Sequence, residues 1–232
     1  MLDARMLALT HYADVLLRDA RGCATVQLPR RILLALLVLC GAAYGAVMGS
    51  YGGWGSFIGL RSERGLQILI SATKVPLLLL ATFALALPSF FVLNTLLGVR
   101  RDFGAVLRAL VGAQAALTIV LVALAPYTAF WYASFTDYQS AILFNGVMFA
   151  VASLGGQWHL RRAYRPLIER SPRHRVLLRG WLVLYVFVGI QMAWVLRPFI
   201  GDPAAPAQFF RAGAWGNAYV VVARLIWGAI TH

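Results

Sequence analysis

The stretch ALVGAQAALTIVLVALAPYTAFWYASFT, residues 109–136, carries no charged side chain. A helix needs about 20 apolar residues to cross the roughly 30 Å hydrocarbon core of a bilayer, and this stretch exceeds that. Similar charge-free runs recur on both sides of it, at residues 32–60, 75–99, 138–158 and 180–196. The first run ends in Tyr51-Gly52-Gly53-Trp54-Gly55, a glycine-rich loop signal, so its span lies near residues 32–50. Five crossings result. A sixth at residues 215–230 stays open, because that segment is short and holds Arg224.

The composition agrees. Of 232 residues, 61% are hydrophobic and 12% charged, with a net charge of +13, whereas a soluble domain is about 25% charged. Disorder and a disulfide-stapled fold are excluded, since apolar content is high and Cys23 and Cys40 are the only cysteines. The expectation is an all-α, polytopic helix bundle. Residues 1–30 form a cytoplasmic segment, 31–200 the membrane domain and 201–232 an outward-facing tail with an interfacial helix. Residues preceding the first span make it longer and later than a signal peptide's core, so it is expected to remain.

Orientation comes from the basic residues. With the N-terminus inside, inner segments hold fifteen Arg, including Arg161, Arg162, Arg165, Arg170, Arg173, Arg175 and Arg179, and outer segments hold six Lys and Arg. The positive-inside rule then predicts a cytoplasmic N-terminus and an outer C-terminus. The arginine-dense stretch 161–179 is read as a loop on anionic headgroups rather than a nucleic-acid site.

Local patterns refine this outline. Leu2, Met6, Leu9, Ala13, Leu16 and Leu17 recur at helical spacing, which makes residues 2–20 an amphipathic helix. It lies on the inner leaflet or docks on the protein's own cytoplasmic loops. Gly41, Gly45, Gly49 and Gly53 fall every fourth residue and form a face that another helix approaches closely, within this chain or between subunits. The segment 66–98 would be about 50 Å long as one helix, so Pro76 is expected to break it and Pro88 to kink its second part. Lys74 then snorkels at the outer interface. Asn94, Gln114, Asn145 and Gln191 are candidates for hydrogen bonding between helices.

Chemistry-bearing motifs are missing from the sequence. His11, His159, His174 and His232 show no ligand spacing within a span, and HExxH, GxSxG and phosphate-binding glycine loops are absent. Asp102, Asp137, Glu169 and Asp202 are scattered singly, and no acid lies well inside a span. The chain is therefore not expected to be an enzyme or to hold a cofactor. After the fifth run, Trp194 and Arg197 mark a membrane boundary, and Arg197 could pair with Asp202 or meet an anion or a partner. Lys74 is a second such candidate.

The stretch Ser71-Ala72-Thr73-Lys74-Val75-Pro76-Leu77-Leu78, with Pro88 and Asn94-Thr95-Leu96-Leu97-Gly98, resembles bacterial members of the Yip family. The stretch Gln191-Met192-Ala193-Trp194, followed by Arg197-Pro198-Phe199-Ile200-Gly201, is similar to the end of the last span in related bacterial proteins. That resemblance implies five membrane helices with a cytoplasmic N-terminus and supplies no catalytic residues. Eukaryotic relatives are associated with Rab-type GTPases and carry a long polar tail that this chain lacks. Twenty Arg against one Lys suggests a GC-rich bacterial gene.

These readings lead to a non-enzymatic accessory or scaffold subunit of the bacterial inner membrane. Its expected partners are the lipid bilayer and a membrane protein or further copies of itself, with no nucleic acid. The alternatives are a small oligomeric channel or transporter and, third, a lipid-modifying or lipid-moving protein.

Overall fold

The computed structural model describes residues 10–16, 28–52, 62–201, 208–210, 216 and 218–220. Five long helices carry the fold: α1 (Arg30–Gly49), α2 (Ser62–Leu96), α3 (Phe103–Ser134), α4 (Tyr138–Arg170) and α5 (Arg173–Leu196). All five are long and apolar enough to cross a membrane, and the described residues include no strand. α1 packs along α2 and α3, α3 along α4, and α2 along α5, while α4 and α5 meet only sparingly. In the most apolar window of each helix, 67% of α3 is buried, against 22% of α4 and 17% of α5. α3 is thus the centre, and α4 and α5 are the outer pair.

Large apolar side chains cover the outside. Leu96, Leu143, Leu154 and Val183 are each more than two-thirds exposed. In water such a surface would aggregate, whereas hydrocarbon solvates it. These helices therefore face lipid.

Named contacts tie the helix ends together. The Arg30 guanidinium donates to the Gly104 carbonyl at 3.5 Å, and Arg173 donates to the Leu97 carbonyl at 3.1 Å. The starts of α1, α3 and α5 and the end of α2 therefore share one end of the bundle. Most of the described arginines lie there, as the charge count anticipates. α2 closes with Gly98 at φ 71°. The Val99 N–H reaches the Asn94 carbonyl at 3.1 Å, and the Gly98 N–H reaches Thr95 at 3.0 Å. This double closure satisfies two orphan carbonyls and favours a residue without Cβ. At the opposite end, Asp137 caps α4 by accepting from the Ser140 N–H at 2.8 Å. The Ser140 hydroxyl, and then its N–H, hold the Asp137 carboxyl below the usual carboxylate range.

Two expectations change. Pro76 does not break the second hydrophobic segment, because α2 runs through both Pro76 and Pro88 for 35 residues. Pro76 is buried, and a Cβ on Gly41 would stand 3.5 Å from its ring carbon. The recess left by Gly41 seats the ring, and that packing offsets the lost backbone bond. At about 52 Å, α2 is longer than the hydrocarbon core and tilts or projects beyond it. Second, the arginine-dense stretch is mostly helix, interrupted only at Ser171 and Pro172. Arginine is a good helix former whose head reaches the headgroups from a continuing helix. Most of the expected N-terminal amphipathic helix lies outside the described residues. Within the described part, residues 10–16 are helical, and the fully buried Leu16 packs with Leu33 and Leu36 of α1 and Ala115 of α3. Most of the proposed sixth span, together with Gly53 and Asp202, lies outside the described residues.

Candidate functional site

The glycine series is an intramolecular seam. A Cβ on Gly45 would lie 2.9 Å from the Ala72 Cα and closer still to the Ser71 carbonyl, and one on Gly49 would lie 2.8 Å from the Ile68 Cα. Only glycine admits this approach of backbone to backbone between α1 and α2.

Of the membrane amides, Asn145 and Gln114 join helices. Asn145 on α4 accepts from the Tyr44 hydroxyl of α1 at 3.1 Å and donates to the Tyr132 hydroxyl of α3 at 2.6 Å and to Ala141 O at 2.8 Å. The Tyr44 hydroxyl also lies 3.4 Å from that of Thr128. Gln114 accepts from the Tyr185 hydroxyl of α5 at 2.9 Å. Asn94 differs from expectation. It is fully buried, yet its amide donates only within α2, to Phe90 O at 3.4 Å, while its carbonyl oxygen has no partner among the described residues. Gln191 joins α5 to the following segment, donating to Gly216 O and accepting from Ala218 N–H, each at 3.1 Å.

The chain after α5 is stitched over the end of the bundle opposite the arginines. The Ser71 hydroxyl donates to Phe199 O at 2.6 Å, and Tyr138 donates to Ile200 O at 3.3 Å. Lys74 completes this cover. It does not snorkel, being fully buried. Its ammonium donates to Pro198 O at 2.7 Å and to Gln208 O at 3.4 Å, and it lies 5.1 Å from the centre of the Phe209 ring. Backbone carbonyls and a π-face replace the hydration of the ammonium.

Between α4 and α5 at this same end is a cavity of about 480 Å³. Met48 of α1, Leu78 of α2, Ile142, Gly146 and Phe149 of α4, Ala193 of α5 and the segment Pro198, Phe199, Ile200 form its apolar walls. Asn145, Tyr138 and Arg197 supply its polar groups. Arg197 ends α5, and its guanidinium lies 3.3 Å from the centre of the Trp194 ring. Nothing stands within 4 Å of a Cβ added to Gly146. The cleft, with the Arg197 guanidinium among its lining groups, is a candidate binding feature. The sequence pointed to Arg197 but not to the space beside it.

The arginine-rich end contains a pair that sequence reading missed. His174 is fully buried in the first turn of α5, and its Nε2 lies 3.1 Å from Asp102 Oδ2. Tyr164 packs edge-on to it, with ring centres 6.4 Å apart. Asp102 and His174 are far apart in sequence and share no motif, so no local signal joins them. No group of three or more metal-ligating side chains occurs among the described residues. No family model, curated protein or solved structure matches this chain.

Proposed function

We propose that this protein is a non-enzymatic accessory or scaffold subunit of the bacterial inner membrane, with its N-terminus in the cytoplasm. The observation that supports this reading is how the polar side chains at membrane depth are used. Tyr44 and Tyr132 both bind Asn145, Tyr185 binds Gln114, and Lys74 binds backbone carbonyls. Groups spent in this way fix the positions of helices. An ion-coupled transporter instead presents ionisable groups along a path. The gathering of arginines at one end and the resemblance to bacterial Yip-family proteins agree with the proposed orientation.

The test is isolation of the full chain from its native membrane in mild detergent, with the mass of the complex measured directly. The expected result is one membrane protein recovered in fixed ratio. A homo-oligomer that conducts ions in liposomes, or a chain that is always alone, would overturn the reading.

A further inference from the structure

The geometry points to a docking surface for an acidic segment of a protein partner at the tip of the α4–α5 hairpin, built on Arg170, Arg175 and the apolar Val176. This inference rests on the scaffold reading and adds the chemistry of the partner. Its first support is charge that the chain leaves unanswered. Each described acid at this end is already engaged: Glu169 with Arg165 at 3.2 Å, Asp102 with His174 at 3.1 Å, and Asp14 in a further contact. Arg170 and Arg175 are exposed and meet no acid among the described residues. The chain's own N-terminal stretch has no acidic excess to offer them, because residues 1–27 hold Asp3, Asp14 and Asp19 against Arg5, Arg18 and Arg21.

The second support is depth. On α4 the exposed apolar series Leu143, Val147 and Leu154 ends at Trp158, and the Arg162 guanidinium lies 3.5 Å from the centre of that ring. An exposed tryptophan stacked with an arginine marks headgroup depth. Arg170 comes twelve residues later on the same helix, about 18 Å further along its axis. A tilt of about 40° still leaves about 14 Å of that advance, and the headgroup layer of one leaflet is only about 5–8 Å thick. Arg161, Arg162 and Arg165 therefore reach the headgroups, while Arg170 stands past them. α5 begins at the same level with Arg173, which is held to the Leu97 carbonyl, and Arg175 follows within its first turn.

The third support is the mixture of side chains. Val176 is 59% exposed beside Arg175, and Pro172 is exposed at the turn. Past the headgroups no hydrocarbon solvates a valine. Arginine around an apolar contact is the composition of protein interfaces. Phosphates would answer the arginines alone, whereas an acidic protein segment answers the valine as well.

The experiment is photo-crosslinking of the full chain in its native membrane, with a photoreactive amino acid in place of Ser171 between Arg170 and Pro172. Mass spectrometry of the adducts should find one protein, joined through a segment with more Asp and Glu than Lys and Arg. Arg170→Gln combined with Arg175→Gln should lower the adduct about fivefold, as expected for two exposed ion pairs. The amount of chain in the membrane and its melting temperature should not change. Arg161→Gln combined with Arg179→Gln, nearer the membrane on the same helices, should leave the adduct within about twofold of wild type. An adduct with lipid, with nucleic acid or with a second copy of this chain would overturn the proposal. So would a partner segment without acidic excess, or an adduct indifferent to the Arg170 and Arg175 changes. A partner recovered in fixed ratio from detergent but not joined at Ser171 would overturn the docking surface and leave the scaffold reading in place. Recovery of no partner by either route would overturn both.

Discussion

Gly45→Leu is expected to leave no folded bundle to purify. A Cβ at this position would stand 2.9 Å from the Ala72 Cα and within the Ser71 carbonyl's contact distance. Both obstacles are α2 backbone, so no rotamer change makes room. α1 and α2 would have to separate along their whole seam. Overpacking a core costs about 1–3 kcal/mol where side chains can yield, and the cost here should exceed the upper figure. Gly41→Ala is the contrast. Its Cβ would meet Pro76 at 3.5 Å, an ordinary contact, and Ala is favoured over Gly in a helix by about 1 kcal/mol. Size-exclusion profiles and melting curves in detergent should show Gly41→Ala at or above wild type and Gly45→Leu aggregated or absent. A monodisperse Gly45→Leu with the wild-type melting temperature would show that the two helices do not pack in this way.

Trp181→Ala is expected to cost about 3 kcal/mol of stability. Trp181 is 1% exposed, and its ring centre lies 5.6 Å from Phe83, 4.9 Å from Phe90 and 5.3 Å from Tyr185. Truncating a buried aromatic costs about 3–5 kcal/mol in water-soluble cores. In a membrane the separated helix keeps its indole among lipid tails, so the transfer part shrinks and the packing part remains. That places the cost at the lower bound. Tyr185 leans on the same ring and reaches Gln114, so the hydrogen bond between α3 and α5 should loosen as well. Trp181→Phe should fall between wild type and Trp181→Ala in a denaturation series. Equal stability of all three would remove this aromatic cluster from the account.

The spans were legible because the absence of charge over 20 or more residues is a one-dimensional property. The glycine seam was legible for a similar reason, since spacing by four survives any tertiary arrangement. The partner of that seam was not legible, nor was its effect on Pro76. A proline breaks an isolated helix, but a recess in a neighbouring helix supplies packing that its local sequence does not show. Lys74 looked like a snorkelling residue because such reasoning sees only its own helix. Its carbonyl partners come from Pro198 and Gln208, far along the chain. Asn145 and Asn94 look alike in sequence. One meets two tyrosines from other helices, and the other bonds within its own. Arg197 stood out as a charge beside a tryptophan at the end of a span, while the cleft it borders comes from the sparse packing of α4 on α5.

The central claim is that α4 and α5 form a hairpin across the bilayer, with its turn on the arginine side and its cleft on the other. Side-specific cysteine labelling in intact membranes tests it most directly, using a chain in which Cys23 and Cys40 are replaced by serine and alanine. Asp137→Cys precedes α4, and Ser171→Cys sits in the α4–α5 turn. A membrane-impermeant thiol reagent added outside should label Asp137→Cys and leave Ser171→Cys untouched until the membrane is opened. Labelling of both positions from the same side would contradict the account.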